Sequence, residues 1–124
     1  MQKRHLYVAI SLFVLSLATV LIVSCRQHTE YTGELLGDLP HGYGRLVHNS
    51  GAIYEGDFRE GKRCGLGLWQ HPGGITYEGG WLNDLYHGFG VLSIPGIYSY
   101  EGEWFAGQKS GRGTQTWANG RHYT

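Results

Sequence analysis

Two patterns of apolar and polar positions divide the chain. From Leu6 to Ser24 run 19 residues without a charged side chain. After residue 30 the pattern changes to an alternation of aromatic or Gly residues with acidic or small ones, as in YEGDF at 54–58. A helix of the first length reaches about 28 Å, close to the ~30 Å hydrocarbon core of a bilayer, whereas a period of two is a strand signal. The sequence predicts an N-terminal hydrophobic helix followed by an all-β domain.

The apolar segment has two interpretations that the sequence leaves open. LIVS before Cys25 resembles the lipobox of bacterial lipoproteins, in which the Cys is diacylated and becomes the first mature residue. An uncleaved single-span anchor agrees better with the length, because a signal h-region has about 7–15 apolar residues. Residues 1–25 are thus a signal or an anchor, and 26–30 form a short linker. With Lys3 and Arg4 held inside by the positive-inside bias, we expect a membrane-anchored protein whose remaining domain faces the periplasm or exterior.

A strict 23-residue repeat fills the rest of the chain. Tyr recurs at this interval five times, and each of the first four is followed two residues later by Gly. Further Gly columns lie eleven and thirteen residues after each of these Tyr residues. Composition bias cannot produce such a register, and a fixed period of this length indicates a repeat architecture. Residues 31–124 are therefore predicted to hold repeats starting at Tyr31, Tyr54, Tyr77 and Tyr100, with a closing strand at Tyr123.

Each repeat has the pattern of a β-hairpin. Two alternating stretches, such as 54–58 and 65–69, are separated from the next repeat by turn sequences, such as NSG at 49–51 and PGG at 72–74. No segment after residue 30 has an apolar stripe of helical period long enough for a helix. The predicted fold is an elongated single antiparallel sheet, a meander of repeated hairpins. Equivalent residues of neighbouring repeats then lie about 9.6 Å apart.

These units resemble MORN (membrane occupation and recognition nexus) repeats. The segments that carry the resemblance are YEGDF at 54–58, GK at 61–62, GLG at 65–67, YEGEW at 100–104 and HGYG at 41–44. The chain departs from the pattern with Asp38 and Asp84 in the loop Gly column, Cys64 and Ser110 in the His column, and Ile97 in the late Gly column. The resemblance covers roughly 31–124. It implies a sheet used for protein association, with membrane lipid contact proposed for some members, and no catalytic residue.

Composition and charge further reduce the number of functional classes that fit the sequence. The chain has 10 Lys+Arg and 10 Asp+Glu, without the basic surplus of a nucleic-acid binder. Cys25 and Cys64 are the only cysteines; Cys25 is the candidate lipidation site, and Cys64 lacks the local signature of a nucleophile. His41 and His87 lie two repeats apart, too far to share a metal ion. We expect no enzyme activity, no cofactor, no metal site and no nucleic-acid partner.

One face of the predicted sheet collects the aromatic side chains. Residues at repeat positions 0, +2 and +4 share a face because strand side chains alternate. The predicted partner-binding residues are Tyr54, Phe58, Tyr77, Trp81, Tyr100 and Trp104. In the competing interpretation these rings only pack against glycines of adjacent strands. Two functions remain open: a non-catalytic protein–protein interaction scaffold, and an envelope module that contacts lipid headgroups or glycan through this face. The sheet edges also favour edge-to-edge self-association.

Overall fold

A computed structural model describes residues 4–8 and 29–124. In these residues ten strands form one antiparallel sheet in which each strand pairs with the next along the chain. The strands are β1 Arg4–Val8, β2 Thr29–Leu36, β3 Leu39–Val47, β4 Ile53–Arg59, β5 Lys62–Gln70, β6 Thr76–Leu82, β7 Leu85–Ile94, β8 Tyr98–Phe105, β9 Gln108–Trp117 and β10 His122–Tyr123. The predicted all-β meander of hairpins is confirmed.

The first strand is where the structure departs from the prediction. Arg4–Val8 pairs with β2, with Arg4 opposite Gly33, so the predicted helix is wrong for its first residues. A strand fits here because the edge of β2 offers backbone N–H and C=O groups that need partners. The rest of the predicted helix, 9–24, lies outside the described residues, as does Cys25. Within 4–8 and 29–124, the structure contains no helix with the length and apolar character needed to cross a membrane.

A row of glycines crosses the sheet and fixes its register. Successive strands place glycine opposite glycine in the order Gly33, Gly44, Gly56, Gly67, Gly79, Gly90, Gly102 and Gly113. Beyond this row each hairpin shifts register: Gly56 faces Gly67, but the next residue, Asp57, faces Cys64. The bulge contains Gly65 at φ 60°, a backbone conformation that glycine adopts without a steric cost.

The hairpin tips use residues with positive φ. Glu60 and Gly61, and likewise Asn83 and Asp84, adopt two consecutive positive φ angles, the requirement of a type I′ turn whose twist matches that of the flanking strands. Asp84, which replaces glycine in this column, takes φ 68°. Asn and Asp tolerate this region better than other side chains. The substituted tip therefore keeps the hairpin geometry of its neighbours.

The core lies on one face of the sheet. Its buried residues are Tyr31, Tyr54, Phe58, Tyr77, Trp81, Tyr100 and Trp104. Along β4 the burial alternates, with positions 54, 56 and 58 buried and the residues between them half-buried. The predicted sharing of a face by repeat positions 0, +2 and +4 is thus confirmed. We call this side the inner face and the opposite side the outer face.

Candidate interaction site

Each repeat tyrosine lies over the glycine row and is held there by its hydroxyl. The Tyr54 hydroxyl donates to the carbonyl oxygen of Asp57 at 3.0 Å, and the Tyr77 hydroxyl to that of Gly80 at 2.9 Å. Tyr31 and Tyr100 make the same bond to the residue three positions later. A Cβ added at a glycine beneath such a ring would overlap it. The glycines therefore provide the space in which the rings lie flat on the backbone.

In repeats two to four, a second aromatic residue joins the repeat to the one before it. The indole N–H of Trp81 donates to the carbonyl oxygen of Gly67 at 3.2 Å, and that of Trp104 to Gly90 at 3.2 Å. The Trp81 ring stands edge-on to Tyr54 and to Tyr77, each with a centroid separation of 5.2 Å. Edge-to-face pairs at this distance are favourable beyond the area that they bury. The inner face is thus one continuous ring cluster rather than four separate ones.

The six residues predicted to bind a partner all lie in this cluster. Tyr54, Phe58, Tyr77, Trp81, Tyr100 and Trp104 are exposed by 6% or less of their surface. Adjacent rings and glycine backbone already cover them, which is the arrangement of the competing interpretation. Their burial gives them a packing role, and their contact with a partner stays a prediction. A partner that meets the folded sheet encounters other side chains first.

Two cations cover parts of the ring cluster. The Arg63 guanidinium lies 4.5 Å from the centroid of the Trp81 ring and pairs with Asp84, with Nε 3.0 Å from Oδ1. The Lys109 ammonium lies 4.6 Å from the centroids of both Tyr98 and Tyr100. Cation–π contacts at such separations are attractive. Burial lowers the pKa of Lys109.

Burial also sets the protonation of the tyrosines. It raises the pKa of Tyr77 to about 12, and it raises the pKa of Tyr54 and of Tyr86 as well. A phenol that is kept neutral remains a hydrogen-bond donor, as the carbonyl partners of Tyr54 and Tyr77 require. These hydroxyls therefore remain donors to a higher pH than an exposed tyrosine hydroxyl would.

The carboxylates of the outer face fall into two groups. One group holds the bulges: Asp57 accepts a bond from the Leu66 amide at 3.2 Å, and Glu103 accepts one from the Arg112 amide at 2.8 Å. In the other group, Glu78 and Glu101 are exposed, while Glu55 pairs with Arg45 at 2.8 Å. The acidic residues of the outer face thus have two roles: Asp57 and Glu103 are structural, and the others lie at the solvent surface.

Sequence reasoning missed a second set of apolar residues, which the structure exposes. Tyr43, Leu66 and Phe89 stand on the outer face, exposed by 60%, 70% and 59% of their surface. We call them the outer row. They occupy one column of the 23-residue repeat, between the two glycines of each Gly-x-Gly, and this column was the signal available in the sequence. Other exposed apolar residues lie at the hairpin tips, namely Leu36, Leu39, Leu82, Leu85 and Phe105.

An open cavity of about 610 Å³ lies at the last repeat. Its lining includes the Tyr100 ring, Lys109, Arg112, Gln115 and Tyr123. The volume is in the range of small-molecule sites. Tyr100 belongs to the core, whereas the Tyr123 ring is exposed. The cavity thus combines one exposed aromatic ring with positive charge.

The side chains considered earlier for chemistry are dispersed. His41 Nδ1 accepts a bond from the Glu60 amide at 3.3 Å, while the His87 ring packs against Phe105 at 5.3 Å. Cys64 is a half-buried free thiol. Across residues 4–8 and 29–124, no three His, Cys, Asp or Glu side chains group in a way that would hold a metal ion.

The structure is an open sheet of four hairpin repeats, in which aromatic rings bridge from one repeat to the next. This is the architecture of a repeat protein, in which each unit contacts mainly its neighbours. The family described as MORN repeat matches residues 31–53, 54–76, 77–96 and 100–120. These matches cover more than half of the chain, which belongs to the MORN repeat family. MORN repeats are typically protein- or membrane-interaction modules. A comparison with curated proteins found no match.

Proposed function

We propose that the chain is a membrane-anchored, non-catalytic scaffold for protein–protein interaction. The observation that carries the proposal is the contrast between the core and the surface. The rings of the core are buried against one another, whereas eleven large apolar side chains in the described part of the chain remain exposed. A surface of this kind, on a rigid sheet, favours recognition of another macromolecule.

Membrane attachment is proposed from the sequence of residues 1–25. An apolar run from Leu6 to Ser24 that follows Lys3 and Arg4 favours either a retained span or a lipoprotein signal ending at Cys25. Either form would hold the repeat sheet at a membrane surface, and either requires that Arg4–Val8 leave their pairing with β2. This arrangement would place the scaffold in the periplasm or at the exterior, and it would limit its partners to proteins at the same membrane.

Replacing Cys25 distinguishes the two forms of anchor. For a lipoprotein, Cys25→Ala abolishes palmitate labelling and leaves a slower-migrating, uncleaved precursor. For a single span, the unaltered protein takes up no palmitate and retains residues 1–24, as mass spectrometry of the purified chain would show. Recovery of the unaltered chain in the aqueous fraction after membrane separation would contradict both forms.

The scaffold role is tested in the native membrane. The full chain is cross-linked in place with a short reagent and purified by affinity. A protein adduct of defined mass and reproducible stoichiometry is the expected result. The control lacks residues 31–124 but keeps the N-terminal segment. Recovery of the chain without any protein adduct, or of the same adduct with the control, would contradict the proposal.

A second candidate function is an envelope module that binds glycan or lipid headgroups. The cavity at the last repeat favours it, because the exposed Tyr123 ring offers a surface for stacking on a sugar ring, while Lys109 and Arg112 attract phosphate or carboxylate groups. Titration with cell-wall fragments, and separately with vesicles that contain anionic lipid, would give a saturable change in Trp fluorescence. Lys109→Gln should weaken that change, and an unresponsive protein would exclude this candidate.

Edge-to-edge self-association remains a proposal for the free strand edge. In the described residues β10 pairs with β9 only at Gln115 and Thr116. Most of β9 is therefore an unpaired edge of the sheet. Unpaired strand edges are templates for another strand. Sedimentation of the full chain in neutral detergent would show a dimer whose population rises with concentration, or a monomer throughout if the edge does not pair.

A further inference from the structure

The outer row has a regularity that packing within the sheet does not require. Tyr43, Leu66 and Phe89 each expose more than half of their surface, so the sheet gains little from burying them. Their cross-strand partners on the outer face are Asp57, Gly80 and Glu103, respectively. An exposed apolar side chain occurring singly is ordinary, but a set in one line is a candidate contact surface.

The surroundings of the outer row are acidic. The outward-facing strand positions of β2 to β9 carry seven carboxylates and four basic side chains: Glu30, Glu34, Glu55, Asp57, Glu78, Glu101 and Glu103 against Arg45, Arg59, Lys62 and Arg112. Among the residues that the structure describes, the side chains of Glu78 and Glu101 make no hydrogen bond or ion pair, whereas Arg45 is already paired with Glu55. The carboxylates of this face therefore outnumber its basic side chains by three, and Glu78 and Glu101 are free to pair with a cation from outside the sheet.

The spacing of the outer row matches a helical repeat. Equivalent residues of neighbouring repeats lie about 9.6 Å apart across the strands. In an α-helix, residues i and i+7 lie about 10.5 Å apart along the axis and point in nearly the same direction. Three members of the outer row thus correspond to helix positions i, i+7 and i+14 within about 2 Å over the whole length.

We propose that the outer row docks a basic amphipathic α-helix of a partner protein. Apolar side chains of the helix, at heptad spacing, lie against Tyr43, Leu66 and Phe89. Lys and Arg side chains beside them pair with Glu78 and Glu101. The inference rests on the proposed scaffold function and names the chemistry of the partner and the face that it contacts.

The charge of the outer face distinguishes this occupant from two others. A second copy of the chain that presented the same face would bring like charges together, which costs binding energy. An anionic membrane surface would be repelled in the same way. A basic helix is attracted to this face. Its apolar residues at heptad spacing also match the spacing of the outer row, whereas neither a second copy nor a membrane provides such a spacing.

The test uses a designed probe and the full chain in neutral detergent. The probe is a fluorescent helical peptide of about 18 residues, with Leu at three heptad positions and Lys or Arg on both sides of them. We expect saturable binding by anisotropy. Phe89→Ser should weaken the affinity about tenfold or more, as is typical when an aromatic side chain that a partner buries is lost. Glu78→Gln with Glu101→Gln should slow association and reduce its dependence on salt.

A matched variant controls for the loss of a phenylalanine. Phe105 is exposed to a similar degree, 65% against 59% for Phe89, but lies at a hairpin tip. Phe105→Ser should leave the affinity unchanged. Two control peptides complete the design: one with Glu in place of each Lys and Arg, and one of the same composition with its three Leu residues adjacent. Both should bind at least about tenfold more weakly than the probe.

Several results would overturn the inference. They are the absence of probe binding, equal weakening by Phe89→Ser and Phe105→Ser, and equal affinity for the probe and the adjacent-Leu peptide. Preferential binding to vesicles would assign the face to a membrane instead. If Phe89→Ser retains the adduct found by cross-linking in the native membrane, this inference fails while the scaffold function stands. If the unaltered chain gives no protein adduct at all, the proposed scaffold function itself is contradicted.

Discussion

At Gly67 the choice of residue is set by the ring above it. The Tyr54 ring lies across this backbone and is fixed by its own hydrogen bond to the Asp57 carbonyl oxygen. The ring is only 2% exposed, so it has no free space into which it could move. The absence of a side chain at Gly67 is therefore as specific a requirement as the presence of the ring at Tyr54.

Gly67→Ala should lower the free energy of unfolding by about 2–3 kcal/mol, because its Cβ overlaps the Tyr54 ring and a well-packed core does not absorb added atoms. Gly73→Ala is the matched control, since its Cβ would meet only Nδ1 of His71, at 3.4 Å. We expect the control to change stability by less than about 0.5 kcal/mol. Urea unfolding of the full chain in neutral detergent, followed by Trp fluorescence, measures both; equal losses would contradict the packing role of Gly67.

The raised pKa of Tyr77 predicts a loss of stability in alkaline solution. Burial raises the pKa of Tyr77 from its ordinary value of 10.0 to about 12, so folding favours the neutral phenol. The contribution is fully present below pH 10 and is lost as the pH rises from 10 towards 12. The free energy of unfolding should therefore fall over this window. Tyr77→Phe has no phenol to titrate, and its pH profile should be flatter than that of the unaltered protein.

At the scale of the hairpin, Arg63 and Asp84 join one tip to the next. The Arg63 amide and Nε both donate to Asp84 Oδ1, at 2.9 and 3.0 Å, and Nη2 donates to the Asp84 carbonyl oxygen at 3.1 Å. In return, the Asp84 amide donates to the Arg63 carbonyl oxygen at 3.1 Å. A residue that departs from the family's glycine column thus provides a side-chain link between repeats two and three.

Arg63→Lys should destabilise the sheet by about 0.5–1 kcal/mol, because an ammonium cannot reproduce the guanidinium contacts with Asp84 and the Trp81 ring, and because the pair is partly exposed. A double-mutant cycle with Asp84→Asn isolates the side-chain coupling. Thermal unfolding of the four proteins provides the measurement. Strictly additive losses would show that the two side chains act independently.

The repeats, the strands and the inner face could be predicted because they follow from two periods in the sequence, one of 23 residues and one of two residues. The register shift after Gly56 was not predicted, since a bulge shows in the sequence only as another glycine, Gly65. The burial of Trp81 was left open because alternation assigns a side chain to a face but does not say what covers it. The strand Arg4–Val8 was missed because its last three residues belong to the apolar run, and a short apolar segment is compatible with either a helix or a strand.

At the scale of the whole molecule, neighbouring repeats share rings. Tyr77 contacts Trp81 of its own repeat and Trp104 of the next, with centroid separations of 5.2 and 5.6 Å. Phe58, in contrast, contacts Tyr31 and Tyr54. Each ring therefore interacts with its own and the adjacent unit. Stability should behave as a sum of units and nearest-neighbour interfaces.

This arrangement predicts which pairs of substitutions are additive. Trp81→Phe and Trp104→Phe both alter contacts with Tyr77, and their combined effect on the free energy of unfolding should differ from the sum of the single effects by about 0.5 kcal/mol or more. Phe58→Leu and Trp104→Phe have no common ring partner, so their effects should add to within about 0.5 kcal/mol. Denaturant unfolding of the singles and doubles measures both cases. Equal coupling in the two pairs would contradict nearest-neighbour behaviour.

The rings that bridge from each unit to the next also constrain how such a gene can change. Trp81 docks on Gly67 as Trp104 docks on Gly90, so a unit that is copied or removed as a whole leaves the same docking on both sides of the junction. The break point within the unit does not matter, provided that the period is kept. A single inserted codon within a strand would instead turn every following side chain of that strand to the other face. Recombination between repeats would therefore lengthen or shorten the sheet in whole units, and the outer row would gain or lose one position each time.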